Sequence, residues 1–362
     1  MKNTLLYILL FFVASCEKPY DNPPVQSGIS SLVIDCTITN DPPPYTANIT
    51  MSTPYNGSGI SSGVRNAKVS IIDEAGNIEN MVLKSQGTYS SSASGMIGQI
   101  GKSYKLKVNL LDGKGRITDT YESEFVKLVE APTIDTVYAE SGQYLTSTGS
   151  FTGLSIYIDA TPAPGQDYYY KLKSSMIQEI ERVIYPFGRI SNGGPPPTYI
   201  SYIWYSSIVD IPNDLKANSA QNLTYIKKLF VGFVPEYISN PRDTDSIRDP
   251  RTPVGIFTTN EIYSVPKRIF DIFTEENSQI KPANSIFDPI PTQLETNITC
   301  TSNPAKKSLG YFAAASIVRK FHYFYWNSTS PKIYSFNVDS LPKGYLPTGV
   351  DSAVPPSFWI RP

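Results

Sequence analysis

The sequence has 362 residues, and its 31 Lys and Arg residues nearly balance its 32 Asp and Glu residues, for a formal net charge of −1 at pH 7. The length is sufficient for two domains of about 100–200 residues each, and the near-neutral balance excludes the basic footprint of a nucleic-acid-binding protein. The 25 Tyr, 30 Pro and 23 Gly residues favour pleated strands joined by turns, so we expect an all-β protein of the secreted type.

The N-terminus has the pattern of a bacterial lipoprotein signal. Lys2 precedes an apolar run at residues 5–13, which is shorter than the about 20 residues that a membrane-spanning helix needs. The run ends in Val13-Ala14-Ser15-Cys16, which resembles a lipobox with Ser15 in place of the commoner Gly or Ala. We predict a signal peptide at residues 1–15, a covalent lipid on Cys16 and a flexible tether over residues 16–30. The alternative is an ordinary signal peptide followed by a chance Cys.

Residues 31–130 alternate short apolar segments with turn sequences. Strands are predicted at residues 45–51, 67–71 and 104–108, with turns at residues 73–77 and 112–115. This spacing is typical of a β-sandwich. The order of strands and turns resembles transthyretin-like and carboxypeptidase-regulatory-like modules, and that resemblance implies a spacer or a binding platform.

Two further cysteines follow Cys16. Cys36 alternates with Leu32, Ile34 and Ile38, which places it in a core. Cys300 lies far along the chain, so we expect it in the second domain. Free, buried thiols are the simpler prediction, and a disulfide is the alternative that an oxidising compartment leaves open. A single candidate ligand in each domain makes no zinc site.

Residues 131–327 are predicted to form a second, mainly β domain. Alternating strand-like segments recur at residues 151–159, 168–172, 199–209, 226–234 and 309–318. One helix is predicted over residues 265–277, with Ser264 as its cap and Ile269, Phe270 and Phe273 as its apolar stripe. The Pro- and Ser-rich residues 328–362 are predicted to be a C-terminal tail, either wrapped round the body or extending from it.

A set of motifs in the chain matches the pattern of a known family. These motifs are Ile38-Thr39-Asn40-Asp41-Pro42-Pro43-Pro44-Tyr45, Ser285-Ile286-Phe287-Asp288-Pro289-Ile290-Pro291, Asn297-Ile298, Asn303-Pro304 and Leu309-Gly310-Tyr311-Phe312-Ala313-Ala314-Ala315-Ser316. Together they resemble the Bacteroidota lipoproteins classed as domain of unknown function 4249, over about residues 12–326. The chain departs from that pattern at residues 321–326 and in the tail. The resemblance implies an outer-membrane lipoprotein, often encoded near TonB-dependent transporters, and it implies no known activity.

The sequence contains no recognisable set of catalytic side chains. His322 is the single histidine, and no G-x-S-x-G sequence is present to supply a nucleophile for it, so we interpret it as an ordinary strand residue. Residues 95–103 approximate a phosphate loop but lead into a predicted strand rather than a helix. Asp243, Asp245 and Asp249 alternate with arginines and lack the Gly of an EF-hand loop. We therefore predict no enzyme activity, no metal and no cofactor beyond the lipid on Cys16.

Aromatic residues are the strongest candidates for ligand or partner contact. Tyr and Trp give large contact area at low entropic cost, and they are concentrated in two segments. The predicted contact residues are Tyr202, Trp204, Tyr205, Tyr323, Tyr325 and Trp326. The alternative is that these rings form core and cross-strand pairs.

We expect a non-catalytic binding or accessory lipoprotein that works with a TonB-dependent transporter in nutrient uptake. The alternative is a structural or assembly component of a cell-envelope complex. In both cases the chain contacts the outer membrane through its lipid anchor, and the sequence leaves open whether the body faces the periplasm or the medium. No nucleic-acid partner is expected.

Overall fold

Residue-by-residue alternation of apolar and polar side chains shapes most of the chain into strands, as along β1, where Leu32, Ile34, Cys36 and Ile38 are all buried. The computed structural model describes residues 30–53, 61–146, 149–162, 167–184, 199–218, 225–235, 252–280, 294–327, 330–338, 351–352, 355–356 and 359. Within these ranges the chain is all-β with one helix, α1 (Lys267–Ile280). The predicted fold class is confirmed.

Residues 30–130 contribute nine described strands. They are β1 (Leu32–Thr39), β2 (Thr46–Met51), β3 (Ser62–Gly63), β4 (Ala67–Asp73), β5 (Ile78–Ser85), β6 (Thr88–Ser90), β7 (Ser103–Leu111), β8 (Ile117–Ser123) and β9 (Val126–Lys127).

The remainder of the chain contributes eleven more described strands. They are β10 (Thr133–Thr146), β11 (Gly149–Thr161), β12 (Tyr168–Ile184), β13 (Tyr199–Ile208), β14 (Leu215–Asn218), β15 (Ile226–Pro235), β16 (Thr252–Ser264), β17 (Ile298–Cys300), β18 (Ser308–Asn327), β19 (Ser330–Val338) and β20 (Asp351–Ser352).

A first β unit surrounds one hydrophobic core. Antiparallel pairing runs from β1 through β2, β6, β5, β4 and β7 to β8. At the two ends of this series, β17 pairs with β8 and the first half of β18 pairs in parallel with β1. The core combines Ile34 of β1 with Leu106 of β7 and Phe312 of β18, all essentially inaccessible to solvent. Two strands from beyond residue 290 are therefore integral to this unit.

A second β unit is a sandwich of two sheets. Its larger sheet has the order β13, β12, β16, β18, β19, and its smaller sheet has the order β10, β11, β15. The two sheets pack through buried side chains such as Tyr170 and Phe324 from the larger and Ile156 and Val231 from the smaller. His322 is buried on β18 beside Phe324, with their ring centroids 4.5 Å apart, so it is a strand histidine as expected.

Strand β18 belongs to both units. Residues 308–315 pair with β1, and residues 316–325 pair with β16. The strand pairing thus crosses the boundary predicted at residue 130. Two segments of the predicted tail are also strands, since β19 pairs with β18 and β20 pairs with Trp204 and Tyr205 of β13.

Two asparagine side chains substitute for a neighbouring strand along β18. Asn297 donates from Nδ2 to the carbonyl of Phe312 (2.8 Å) and accepts at Oδ1 from the Phe312 N–H (3.0 Å). Asn40 makes the same pair of bonds to Ile317, at 3.1 and 2.6 Å. Each amide satisfies a backbone donor and acceptor that a third strand would otherwise have to satisfy.

Helix α1 begins two residues later than predicted. Ser264 is the last residue of β16, and its buried Oγ has no hydrogen-bond partner among the described residues. The N–H groups of Ile269 and Phe270 instead donate to the carbonyl of Pro266. The predicted Ser264 cap is therefore wrong, because two residues separate Ser264 from the first turn. The apolar stripe is confirmed, and it packs on the core of the first β unit.

The two cysteines share one core. Cys36 and Cys300 are buried, free, and members of the same hydrophobic cluster. The prediction of buried free thiols is confirmed. The expected placement of Cys300 in a separate domain is wrong, because β17 pairs with β8 and returns the chain to the first β unit.

Neither thiol is expected to react in the native protein. Burial, with a contribution from the charge of Asp35, raises the pKa of Cys36 to about 12, so about one Cys36 in ten thousand is a thiolate at pH 8. In a Cys16→Ala chain, Ellman's reagent should titrate no thiol rapidly at pH 8 and two thiols in denaturant. Rapid stoichiometric labelling of the native chain would show that this core is open.

Candidate functional site

The larger sheet of the second β unit carries a row of rings on the face opposite its sandwich core. Strand register places Trp204 of β13 beside Glu179 of β12, Glu179 beside Gly255 of β16, and Gly255 beside Tyr325 of β18. Because residues in register share a face, these side chains project together. We call this surface the aromatic face, and its described members are Ile177, Glu179, Tyr202, Trp204, Gly255, Phe257, Phe321, Tyr323, Tyr325 and Trp359.

Four of the six predicted contact residues meet on the aromatic face. Trp204 and Tyr323 are 3% and 7% exposed, and Tyr202 and Tyr325 are partly buried around them. Tyr205 is 40% exposed and follows Trp204 in the strand, so it projects from the opposite face. The backbone of Trp326 pairs with Ile333, but its side chain lies outside the described part of the structure. Cys16 also lies outside the described residues.

Trp359 is a member of this face that sequence reasoning missed. Its indole contacts Trp204 and Tyr323 edge-on, with centroid distances of 6.3 and 5.1 Å and interplanar angles of 81° and 82°. Its backbone N–H donates to the carbonyl of Pro356, which tightens the chain just before it. The sequence offered one signal, since Phe358 and Trp359 follow two prolines with only Ser357 between them.

Glu179 is the polar centre of the aromatic face. Its side chain is 0% exposed, and Oε2 accepts a hydrogen bond from Trp359 Nε1 at 2.5 Å. A second carboxylate, Glu181, accepts from the Tyr202 hydroxyl at 3.4 Å. Carboxylate oxygens among rings can accept hydrogen bonds from N–H or O–H groups of a ligand, while the rings supply apolar contact.

A small cavity lies where the two β units meet under α1. It encloses about 230 Å³ and is lined by Thr37 and Ala313 from the first unit and by Lys173 and Arg319 from the second. The Arg319 guanidinium donates to Asp41 and to Glu261, which ties the turn after β1 to the larger sheet.

Charges and rings converge at this cavity. The Lys173 ammonium lies 3.8 Å from the centroid of the Tyr263 ring. Desolvation by its neighbours lowers the pKa of Lys173, although part of its side chain stays exposed, and Glu261 opposes that shift. Burial, reinforced by the nearby Glu276, raises the pKa of Asp35. The contact of Arg319 with Asp41 joins one unit to the other at this cavity.

The family model for the domain of unknown function DUF4249 matches residues 17–320 of this chain. The chain belongs to the DUF4249 family. No curated protein matches the sequence. Trp359 lies beyond the part that matches the family, whereas Asn40, Asn297 and Gly310 lie within it.

The family motifs coincide with the junction of the two units. Asn297 and Asn40 hold the backbone of β18, and Gly310 lies where β18 meets Ile34 of β1. These motif residues therefore have structural roles. The motif at residues 285–291, like Asp243, Asp245 and Asp249, lies outside the described residues.

The described residues contain neither a metal-binding cluster nor a membrane-spanning helix. Within the described ranges, no group of three or more His, Cys, Asp or Glu side chains is arranged to hold a metal ion. None of the described helical residues form a helix of the length and apolarity needed to cross a membrane.

Proposed function

We propose that this DUF4249 member is a non-catalytic binding or accessory lipoprotein. It is anchored in the outer membrane through Cys16 and works with a TonB-dependent transporter in nutrient uptake. The observation that carries the proposal is the aromatic face, which gathers Tyr202, Trp204, Tyr323 and Tyr325 round the carboxylate of Glu179. Clusters of Tyr and Trp with few polar groups are typical of binding surfaces.

The lipobox supplies the second part of the proposal. A lipid at Cys16 and the polar residues that follow it would hold the body near the membrane without fixing its orientation. The orientation on a partner would then come from the β units themselves.

One observation favours the alternative, an assembly component of an envelope complex. Ile208 is 72% exposed and lines a groove together with Tyr144, Phe230 and Phe233. Exposed apolar side chains next to a groove favour protein–protein contact. In that role the chain would associate with several envelope proteins rather than with one transporter.

The proposal is tested by expressing tagged wild-type and Cys16→Ala chains in the native host. Wild type should fractionate with the outer membrane and co-purify with a TonB-dependent barrel in mild detergent. Cys16→Ala should lack the mass of the acyl chains and lose both properties, because no other thioether can form at that position.

Ser15→Ala is the matched control, since it alters the neighbouring residue while keeping the small side chain of a lipobox. It should behave as wild type. Equal membrane retention of Cys16→Ala would contradict the anchor. Recovery of several envelope proteins without a transporter would favour the assembly role.

A further inference from the structure

Trp359 occupies a slot in the aromatic face that has the features of a ligand site. We propose that this slot binds a flat aromatic ring with a hydrogen-bond donor on its edge, such as an indole, and that Trp359 is its built-in occupant. The inference rests on the proposed binding function and names the chemistry of its ligand.

The shape of the slot selects a planar group. Trp204 and Tyr323 both stand nearly perpendicular to the indole of Trp359 and contact it edge-on. Gly255 leaves the space between them open. A Cβ at residue 255 would lie 2.7 Å from the Tyr323 hydroxyl, 2.8 Å from Trp359 Cζ2 and 3.1 Å from Glu179 Oε2. The absent side chain at residue 255 thus creates the room that the indole fills.

The polarity of the slot selects a ligand that carries a hydrogen-bond donor. Glu179 Oε2 lies at hydrogen-bond distance from the indole nitrogen, and the Glu179 side chain is shielded from solvent. A ring without an N–H or O–H would cover this carboxylate oxygen and leave it without that bond, which is strongly unfavourable for a buried charged acceptor. Purely hydrocarbon rings should therefore be rejected relative to indole.

Ligand binding in the slot requires the Trp359 indole to leave it. Among the described residues before Trp359, β20 pairs with β13 and Pro356 is buried. A ligand that replaces the indole must compete with a tethered group, so its apparent affinity is reduced by the fraction of chains in which the slot is open. Removing the Trp359 indole should remove that competition.

The test measures binding of indole and of indene to the full chain by calorimetry. Indene has the same bicyclic outline without the N–H. We expect Trp359→Ala to bind indole at least about tenfold more tightly than wild type does. The same variant should bind indole about tenfold more tightly than indene, since a hydrogen bond to a charged group is involved. Adding Glu179→Gln to Trp359→Ala should reduce the preference for indole over indene to less than about threefold.

Equal binding of indole and indene by Trp359→Ala would overturn the proposal, as would equal affinity of wild type and Trp359→Ala for indole. Failure of Trp359→Ala to fold, judged by circular dichroism with and without indole, would show that the indole is a core element and would also overturn it. If Trp359→Ala shows no preference for indole over indene while the wild-type chain still co-purifies with a transporter, only the slot proposal is rejected. If the preference is observed but no transporter co-purifies, only the proposed partner is rejected.

Discussion

Replacing Gly310 by alanine is expected to destabilise the protein by about 2–6 kcal/mol, through backbone strain and overpacking together. Gly310 has a φ of +83° and lies opposite Ile34 in the parallel pairing of β18 with β1. A Cβ there would lie 2.2 Å from the carbonyl oxygen of Ile34 and 2.9 Å from Asp35 Oδ1. Ile34 is fully buried, so its backbone cannot move aside without disturbing the core.

The measurement is the urea midpoint of the full chain by fluorescence and circular dichroism. Gly142→Ala is the matched control, because it lies in a strand and an added Cβ would meet nothing within 4 Å. The control should remain within about 0.5 kcal/mol of wild type. Similar midpoints for the two variants would refute the close approach of β18 to β1.

Replacing Asn297 by alanine is expected to cost about 2–6 kcal/mol, because two buried backbone groups lose their partners at about 1–3 kcal/mol each. Asn297 is 1% exposed, and its amide holds both the N–H and the carbonyl of Phe312. Water cannot reach these groups in the folded chain without opening the core around Phe312, which is fully buried.

Two other asparagines give a graded comparison by the same urea titration. Asn40→Ala removes an equivalent pair of hydrogen bonds to the backbone of Ile317. Because Asn40 is partly exposed, water can replace some of this lost hydrogen bonding. Asn48→Ala removes one exposed bond to Thr88 and should change stability by less than about 0.5 kcal/mol. The expected order of destabilisation is Asn297, Asn40, Asn48. A loss at Asn297 no larger than at Asn48 would contradict the role assigned to its amide.

Local features of the fold were predictable because they depend on neighbouring residues. The turn at residues 73–77 forms as expected, since Asp73 Oδ1 accepts from the N–H groups of Ala75 and Asn77. The strands predicted at residues 104–108 and 309–318 lie within β7 and β18. In each case a period of two fixes which side chains are buried.

Pairings between distant segments were not predictable from a single sequence. Nothing in residues 298–315 indicates that they join a unit begun at residue 32, because parallel pairing leaves no short-range turn signal. Cys300 was wrongly assigned to a separate domain because no local signal indicates this distant pairing. The Ser264 cap failed for a different reason, since strand β16 continued to the residue that the cap required.

The candidate site was predictable in part. Composition identified Trp204 and Tyr323, and strand register then placed them on one face. Tyr205 could have been separated from them by the same alternation, since it is the immediate neighbour of Trp204. Trp359 joins the aromatic face through contacts with residues far away in the sequence, and no local sequence pattern specifies such contacts.

The sharing of β18 between two units has a consequence for the order in which the chain acquires its structure. β1 is synthesised about 270 residues before its parallel neighbour, residues 308–315. Closing so large a loop is slow compared with forming a hairpin. Throughout synthesis and any transport across a membrane, one edge of β1 stays unpaired and open to wrong partners. The first β unit therefore cannot be completed until residues 308–315 have been synthesised.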